Sequence, residues 1–226
     1  MSDHKRIREI NVYYDRRAPW HDGYLSYESN EKMEERLGPI IRRVEPFIEK
    51  RDLLEIACGT GIWTQVLTKR AKSVTAGDIS QSMIAIARDK HYQGVQPTFV
   101  VADAYRLDKI DGSFDVAFMA DWWSHVPRQH LRSFLERLHR KLHKNANVVA
   151  VDMMARDDPE GSVVRVDEDG NRLHRRTLPD GSRFEIVKNY FTHRELSNVI
   201  AAYTDETHYW QDEALLRWVL AYRLRD

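Results

Sequence analysis

Cysteine is almost missing from this sequence. Cys58 is the only one in 226 residues, so no disulfide can form within the chain, and the composition suits a reducing compartment. Long apolar runs are missing too. No stretch approaches the ~18 consecutive apolar residues of a membrane span. The start, "MSDHKRIREI", lacks the apolar core of a signal peptide. The expected location is therefore the cytoplasm, away from any membrane. Nor is there an excess of charge of either sign, because 35 basic residues balance 35 acidic ones. Proteins that grip a nucleic-acid backbone usually carry surplus Lys and Arg, so the balance argues against nucleic acid as a partner, though not against a local patch. Repeats and low-complexity tracts are also absent.

What is present suffices for a core. Apolar residues make up 42% of the chain, and its length suits one α/β domain with a small addition. The stretches "HKRIREINVY" and "EKMEERLGPIIRRVEPFIEK" place apolar residues at helical spacing. They suggest an N-terminal helical cap over residues 1–50, with "YDRRAPWHDGYLSY" as an irregular connector between the two helices. A rhythm of strand and helix follows. "DLLEIA", "KSVTAGD", "PTFVVAD", "FDVAFMA" and "ANVVAVDMM" read as five strands. "GIWTQVLTKRA", "SQSMIAIARDKH" and "PRQHLRSFLERLHRKLH" read as helices between them. Such alternation predicts a doubly wound, mostly parallel α/β sheet with helices on both faces. The stretch "VVRVDEDGNRLHRRTLPDGSRFEIVKNYF" alternates and holds two Asp-Gly turn signals, which predicts a hairpin-containing insertion over 156–191. "THRELSNVIAAY" is a helix with Thr192 and Glu195 in capping-box register, and two further strands close a single domain spanning 1–226.

In such sheets ligands sit beyond the carboxyl ends of the strands. Those positions hold Glu55 to Gly61, Asp78, Asp103 and Ala120 to His125. Gly59 and Gly61 permit a tight turn and close approach of a ligand to the backbone. The dinucleotide fingerprint wants a third glycine where Thr64 stands, and Glu55 would repel a phosphate. The site favours an adenosine-like ligand that lacks phosphates and carries positive charge. Asp78 is placed to bind ribose hydroxyls, and Asp103 to accept a proton from an exocyclic amine.

"EIACGTG", the acid in "AGDIS", "VADA" and "FDVAFMADWWSHVP" resemble, in order and spacing, the motifs of class I S-adenosylmethionine-dependent methyltransferases. The resemblance covers roughly residues 10 to 155. It implies a seven-stranded sheet with its last strand antiparallel and S-adenosylmethionine as cofactor. The loop from Glu55 through Ala57, Cys58, Gly59 and Gly61 would hold the methionine moiety, Asp78 the ribose and Asp103 the adenine amine. Ile79 and Met83 would flank the adenine, Ala104 would offer a backbone amide, and Ala120 would add a contact. Cys58 itself reads as a small packed residue.

The acceptor side is expected after the fourth strand. His125 is the candidate general base or acceptor-orienting group, with Asp121 as its rival. Of the adjacent Trp122 and Trp123, one should face the pocket. By the same resemblance, Tyr13, Tyr14 and Trp20 close one side of an enclosed acceptor site, and Arg175, Tyr190 and Phe191 another, with Tyr14 touching the methionine end. His139 and His143 share helical spacing, but no further ligand completes a metal site, so a solvated helix face and no metal are expected. These features point to methylation of a small molecule at oxygen, nitrogen or carbon. Two readings compete with it: a cofactor-binding protein without catalysis, and a nicotinamide-dependent oxidoreductase on the same fold class.

Overall fold

The sheet is built outward from its middle strand. In the computed structural model, which describes residues 3–24, 30–155 and 163–226, β1 (Asp52–Ile56) pairs in parallel with β2 (Ser73–Asp78) on one side and β4 (Phe114–Ala120) on the other. β3 (Thr98–Val101) extends the first side. On the second side follow β5 (Leu142–Met153), β10 (Arg217–Arg223) and β9 (Glu206–Asp212), giving the order β3-β2-β1-β4-β5-β10-β9. The chain's last strand, β10, runs antiparallel to both its neighbours. The order reverses between β1 and β4, so their carboxyl ends diverge and open a crevice.

Strand alternation sorts the side chains to two cores. Leu54, Ile56, Ala117, Met119, Val148, Ala150 and Leu220 lie on one face, packed with Phe134, Leu135 and Leu138 of α6 (Leu131–His139) and Leu196 and Ile200 of α7 (His193–Ile200). Leu53, Val116, Phe118, Val149 and Val219 lie on the other, against α3 (Asn30–Ile48), α4 (Ile62–Leu67) and α5 (Gln81–Asp89). Glu55 shares the parity of Leu53, which turns its carboxylate toward α4. Thr192 and Glu195 make the anticipated capping box.

Three expectations need correction. The connector after the first helix is not irregular. α1 (Asp3–Arg17) leads into a 3-10 turn at Ala18–Trp20 and a short α2 (His21–Tyr24), because Pro19 sits where a helix start tolerates proline. The helix expected to end at His143 stops at His139, and the fifth strand begins at Leu142. The charged run that continued the helical pattern is the exposed, outer part of that strand, paired from Leu142 to Phe114 across a bulge. His139 and His143 therefore do not share a helix, and His139 packs half-buried against Tyr203 and Tyr222 rather than facing solvent.

The insertion forms a separate antiparallel sheet of β6 (Val163–Val166), β7 (Arg172–Thr177) and β8 (Arg183–Val187). Residues 156–162 of the expected insertion and 1–2 and 25–29 of the expected cap lie outside the described residues. Ile10 and Tyr13 of α1 pack with Leu178, Phe184 and Ile186, so α1 docks on this second sheet. Among the described residues, no helix is long and apolar enough to cross a membrane.

Gly61 serves packing more than ligand approach. Its φ is +80°, and a Cβ there would lie 2.4 Å from the Tyr92 hydroxyl and 3.2 Å from Ala87 Cβ. Gly59, also left-handed at +56°, would place a Cβ no nearer than 3.7 Å to anything outside its own neighbourhood, at His21 Nε2. Gly59→Ala should therefore cost only the left-handed strain of about 1–2 kcal/mol. Gly61→Ala adds overpacking and should cost about 1–3 kcal/mol more. Urea unfolding of the two variants measures this; equal losses would refute the assignment.

Candidate active site

The crevice is floored by acids without internal counter-ions. Glu55 is 2% exposed and accepts a hydrogen bond from the Thr64 hydroxyl at 2.6 Å. Asp78, 9% exposed, accepts from the Gly59 amide and the Ser80 amide, both at 2.9 Å. Among the described residues neither carboxylate has a salt bridge. Burial pushes the Glu55 carboxyl up to about 8, against the Thr64 hydrogen bond and with the Asp78 charge adding to the rise. Burial raises Asp78 as well, opposed by its backbone hydrogen bonds. Two buried acids with hydrogen bonds but no cation suit a cationic ligand, because an unpaired buried charge is costly. Ala57 at φ +52° and Gly59 turn the chain over them.

Cys58 packs among the core residues between α3 and α4, and burial holds its thiol well above the ordinary range, so it is no nucleophile. Asp103 is half-buried, and one of its oxygens accepts from the Tyr105 amide at 2.8 Å. Ile79 is an exposed apolar residue at a strand end, 36% accessible, where a flat ring can lie against it. Ala104 and Ala120 border the crevice half-buried. Met83, by contrast, is 1% exposed and lies within the core.

The N-terminal segment closes over this floor. Asp15 accepts from the Ser80 hydroxyl at 2.7 Å, tying α1 to the start of α5. Asp22 binds the Thr60 hydroxyl and, at 2.5 Å, Lys90. His21 sits above Gly59, with its Nδ1 buried and lacking a hydrogen-bond partner. Burial, reinforced by Arg17, pulls its pKa down to about 4, so this imidazole is neutral.

Beyond the floor lies a second polar pair. The Tyr14 hydroxyl lies 2.8 Å from His125 Nε2, and His125 Nδ1 lies 2.7 Å from the Val187 carbonyl of β8. A carbonyl only accepts, so Nδ1 carries the proton and Nε2 presents its lone pair to the phenol. Burial first, then Lys188, hold His125 well below the usual histidine range. Burial likewise raises Tyr14, against the pull of Arg17. Asp121, at φ +54°, is gripped by Arg217 at 2.7 Å. Burial acts to raise its pKa, but the cations prevail and hold it below the usual carboxylate range, which makes it a weak base.

The structure thus brings Tyr14, Glu55, Ala57, Gly59, Asp78, Ile79, Ala120, Asp121 and His125 to one crevice. Several expected acceptor residues lie elsewhere. Trp123 is fully buried against Trp218, and Trp122 is half-buried, packed on Tyr105 and Phe134, its buried indole N–H without a hydrogen-bond partner among the described residues. Tyr13 is core between α1 and Phe184. Phe191 is core beneath Arg128, and Trp20 stands 39% exposed. Arg175 is exposed and opposite Glu185, whereas Arg176 points to the other face, close enough for its charge to act on Tyr14 and His125. Tyr190 packs edge-on against His174. Thr64, His21, Arg176 and Lys188 were not anticipated. Only Arg176 had a signal, the period-2 alternation that sets it opposite in sense to Arg175. Among the described residues no cluster of three or more histidines, cysteines or acids is placed for a metal.

Comparison with known proteins agrees with this geometry. Residues 53–146 match the family described as methyltransferase domain. The chain is 34% identical over 84 residues to the biotin biosynthesis bifunctional protein BioHC of Cellvibrio japonicus, covering 36% of this chain and 16% of that one. It is 30% identical over 109 residues to the 18S rRNA (guanine-N(7))-methyltransferase RID2 of Arabidopsis thaliana, covering 44% and 37%. The chain therefore spans well under two thirds of the length of these curated relatives. The solved DhpI–SAH complex is 27% identical, with 99% of each chain covered and a TM-score of 0.77. A DhpI–SAM–HEP complex matches over the same shares at 0.75.

The Glu55 carboxyl generates a pH dependence. It titrates near 8 in the fold and near 4.5 when unfolded, so between those values the fold holds a proton that the unfolded chain has lost. The unliganded protein loses stability as pH rises through that window and is level above it. Glu55→Gln removes this term. The variant should match wild type near pH 4.5 and exceed it by on the order of 5 kcal/mol above pH 8. Parallel urea-stability profiles for the two proteins would refute the buried, uncompensated state of Glu55.

Proposed function

Because the chain belongs to the class I, Rossmann-like S-adenosylmethionine-dependent methyltransferases, we propose that it methylates a small-molecule acceptor enclosed between the sheet and the β6–β8 lid. The observation that carries this reading is the pairing of two buried, counter-ion-free acids with a separate neutral Tyr14–His125 pair across the same crevice. When bound, S-adenosylmethionine supplies a methyl carbon on a sulfonium, which passes to the acceptor's nucleophilic atom while the electrons of the carbon–sulfur bond stay with sulfur. The residues fit such a cation. Asp78 offers negative charge, Glu55 a carboxyl that gives up its proton once a bound cation offsets its burial, and Ile79 an apolar surface for the adenine. Gly59 lets the loop backbone come close, and the second oxygen of Asp103 is placed for the adenine amine.

The chain's own work on the acceptor is alignment and exclusion of water. His125 Nε2 accepts a hydrogen bond from Tyr14 in this state and would accept one from an acceptor hydroxyl or amine that takes the phenol's place. Its low basicity suits an orienting group better than a strong base, and Asp121 is weaker still. The lid is fixed over this pair by a buried polar network. Asn189 donates to the Ser124 carbonyl at 2.7 Å, and Asn189 Nδ2 reaches Asn171 Oδ1 at 3.0 Å. Asn171 in turn receives the Arg128 amide at 2.8 Å. Enclosure of this kind favours a small acceptor over a polymer, even though RID2 acts on rRNA.

His125→Ala should lower kcat about 100-fold or more and leave the affinity for S-adenosylhomocysteine within about twofold. Calorimetry for the cofactor product and a methyl-transfer assay together check this. Loss of cofactor affinity in parallel with turnover would instead mark His125 as a folding residue. Failure of the wild-type protein to bind S-adenosylhomocysteine would remove the functional reading altogether.

A further inference from the structure

Charge reverses sign along the crevice. Acids line the end where Glu55, Asp78 and Asp15 lie. Around Tyr14 and His125 the neighbours are cations: Arg17 and Arg176 act on the phenol, Lys188 and Arg176 on the imidazole. The acids nearby are already engaged. Asp121 is paired with Arg217 at 2.7 Å. Asp152 accepts from the Ser124 amide at 2.8 Å and lies 3.4 Å from Lys188, which also donates to the Ser124 hydroxyl at 2.7 Å.

Arg176 differs from these. Cross-strand partners share a face of a sheet, and Arg176 stands opposite Phe184 as His174 stands opposite Ile186. Phe184 and Ile186 are the residues on which α1 packs, so Arg176 faces α1 and the Tyr14 side of the crevice. It is half-buried, and among the described residues no carboxylate pairs with it. Its one hydrogen bond runs to the Arg175 carbonyl at a long 3.4 Å. Arg175, one residue earlier, faces outward across from Glu185, which already binds Arg165 at 2.7 Å. A guanidinium partly withdrawn from water, beside a phenol and an imidazole that are both neutral, lacks the anion that would offset its desolvation.

We propose that the acceptor carries an oxyanion, a carboxylate or a phosphoryl or phosphonyl group, and that Arg176 binds it beside the Tyr14–His125 pair. The proposal rests on the methyltransferase reading above. The planar fork of arginine presents two parallel N–H donors that match either kind of oxyanion. Recognition of an RNA backbone would instead need a row of cations along an open face, whereas Arg176 is half-buried on the sheet face that α1 covers, opposite Phe184. An acceptor that arrives as an anion also brings a lone pair ready to react. It needs no strong base, and the site offers none: the lone pair of His125 Nε2 is taken up by the Tyr14 hydroxyl and Asp121 is held by Arg217.

Calorimetry on the protein saturated with S-adenosylhomocysteine tests this, with benzoate and phenylphosphonate as probes and benzamide as the uncharged control. At least one anion should bind about 10-fold or more tightly than benzamide, and the stronger of the two identifies the oxyanion. Arg176→Gln should weaken that anion about 10- to 100-fold, Arg176→Lys should recover part of the loss, and Arg175→Gln should change nothing. The affinity for S-adenosylhomocysteine stays at its wild-type value in all three variants. Anions that bind no better than benzamide, or an Arg176→Gln variant that holds them as well as wild type, overturn the proposal. So does a short single-stranded RNA that binds more tightly than both probes and is indifferent to Arg176. Absence of S-adenosylhomocysteine binding in the wild type would instead strike the methyltransferase reading itself.

Discussion

Two carboxyl groups buried at the ends of adjacent strands, without a salt bridge among the described residues, set the terms for everything around the crevice. Glu55 and Asp78 are held by a threonine hydroxyl and backbone amides. Those hydrogen bonds lessen the cost of burial but leave the charge without an opposite. A chain selected for stability alone would place apolar residues there, since the strand that ends in Glu55 is otherwise a buried run. The arrangement makes sense as one in which the missing cation arrives with the ligand. A ligand that binds only the folded state then stabilises it in proportion to its concentration over its dissociation constant. The loop through Ala57 and Gly59 shows the same trade, because a non-glycine residue in the left-handed region is strained in the unliganded fold.

α1 connects three parts that the sheet alone would leave separate. Asp15 reaches the start of α5, Tyr14 reaches His125, and Tyr13 and Ile10 pack on the lid sheet. Consecutive residues on this helix thus touch the start of α5, His125 and the β6–β8 sheet. The short α2 adds His21 and Asp22 above the glycine loop.

The strand ends were legible in the sequence because an acid that closes an apolar strand breaks the local pattern, and such breaks recur at Glu55, Asp78 and Asp103. The seven-stranded sheet was legible for a related reason: the period switches cleanly between strand and helix. Parity defeated the rest. Trp122 and Trp123, like Arg175 and Arg176, are adjacent pairs in which one member is more buried than the other, and residue type alone carries no register. His21 was hidden because Pro19 read as a break and not as a helix start. The start of β5 was hidden because its outer residues are charged and continue the helical spacing of α6. Gly61 was assigned to ligand approach, though Tyr92, from a loop 31 positions away in the chain, is what forbids a side chain there. That last contact is distant in sequence, which no local pattern encodes.

Net charge was a weaker guide than the distribution of charge. Equal totals of basic and acidic residues speak to bulk solubility and to non-specific binding, not to the field inside one crevice. Here the zero sum hides a separation, with acids toward the Glu55 end and cations toward His125. Arg217 sharpens it. Standing on the antiparallel β10, it pairs with Asp121 at the end of β4 and so cancels an acid that would otherwise face the acceptor. The last strand of the fold thereby helps set the sign of the site, and a low-dielectric enclosure makes each such charge count for more than it would in water. A cationic cofactor at one end and an anionic acceptor at the other would meet with their charges already opposed by the protein, and transfer between them would dissipate both.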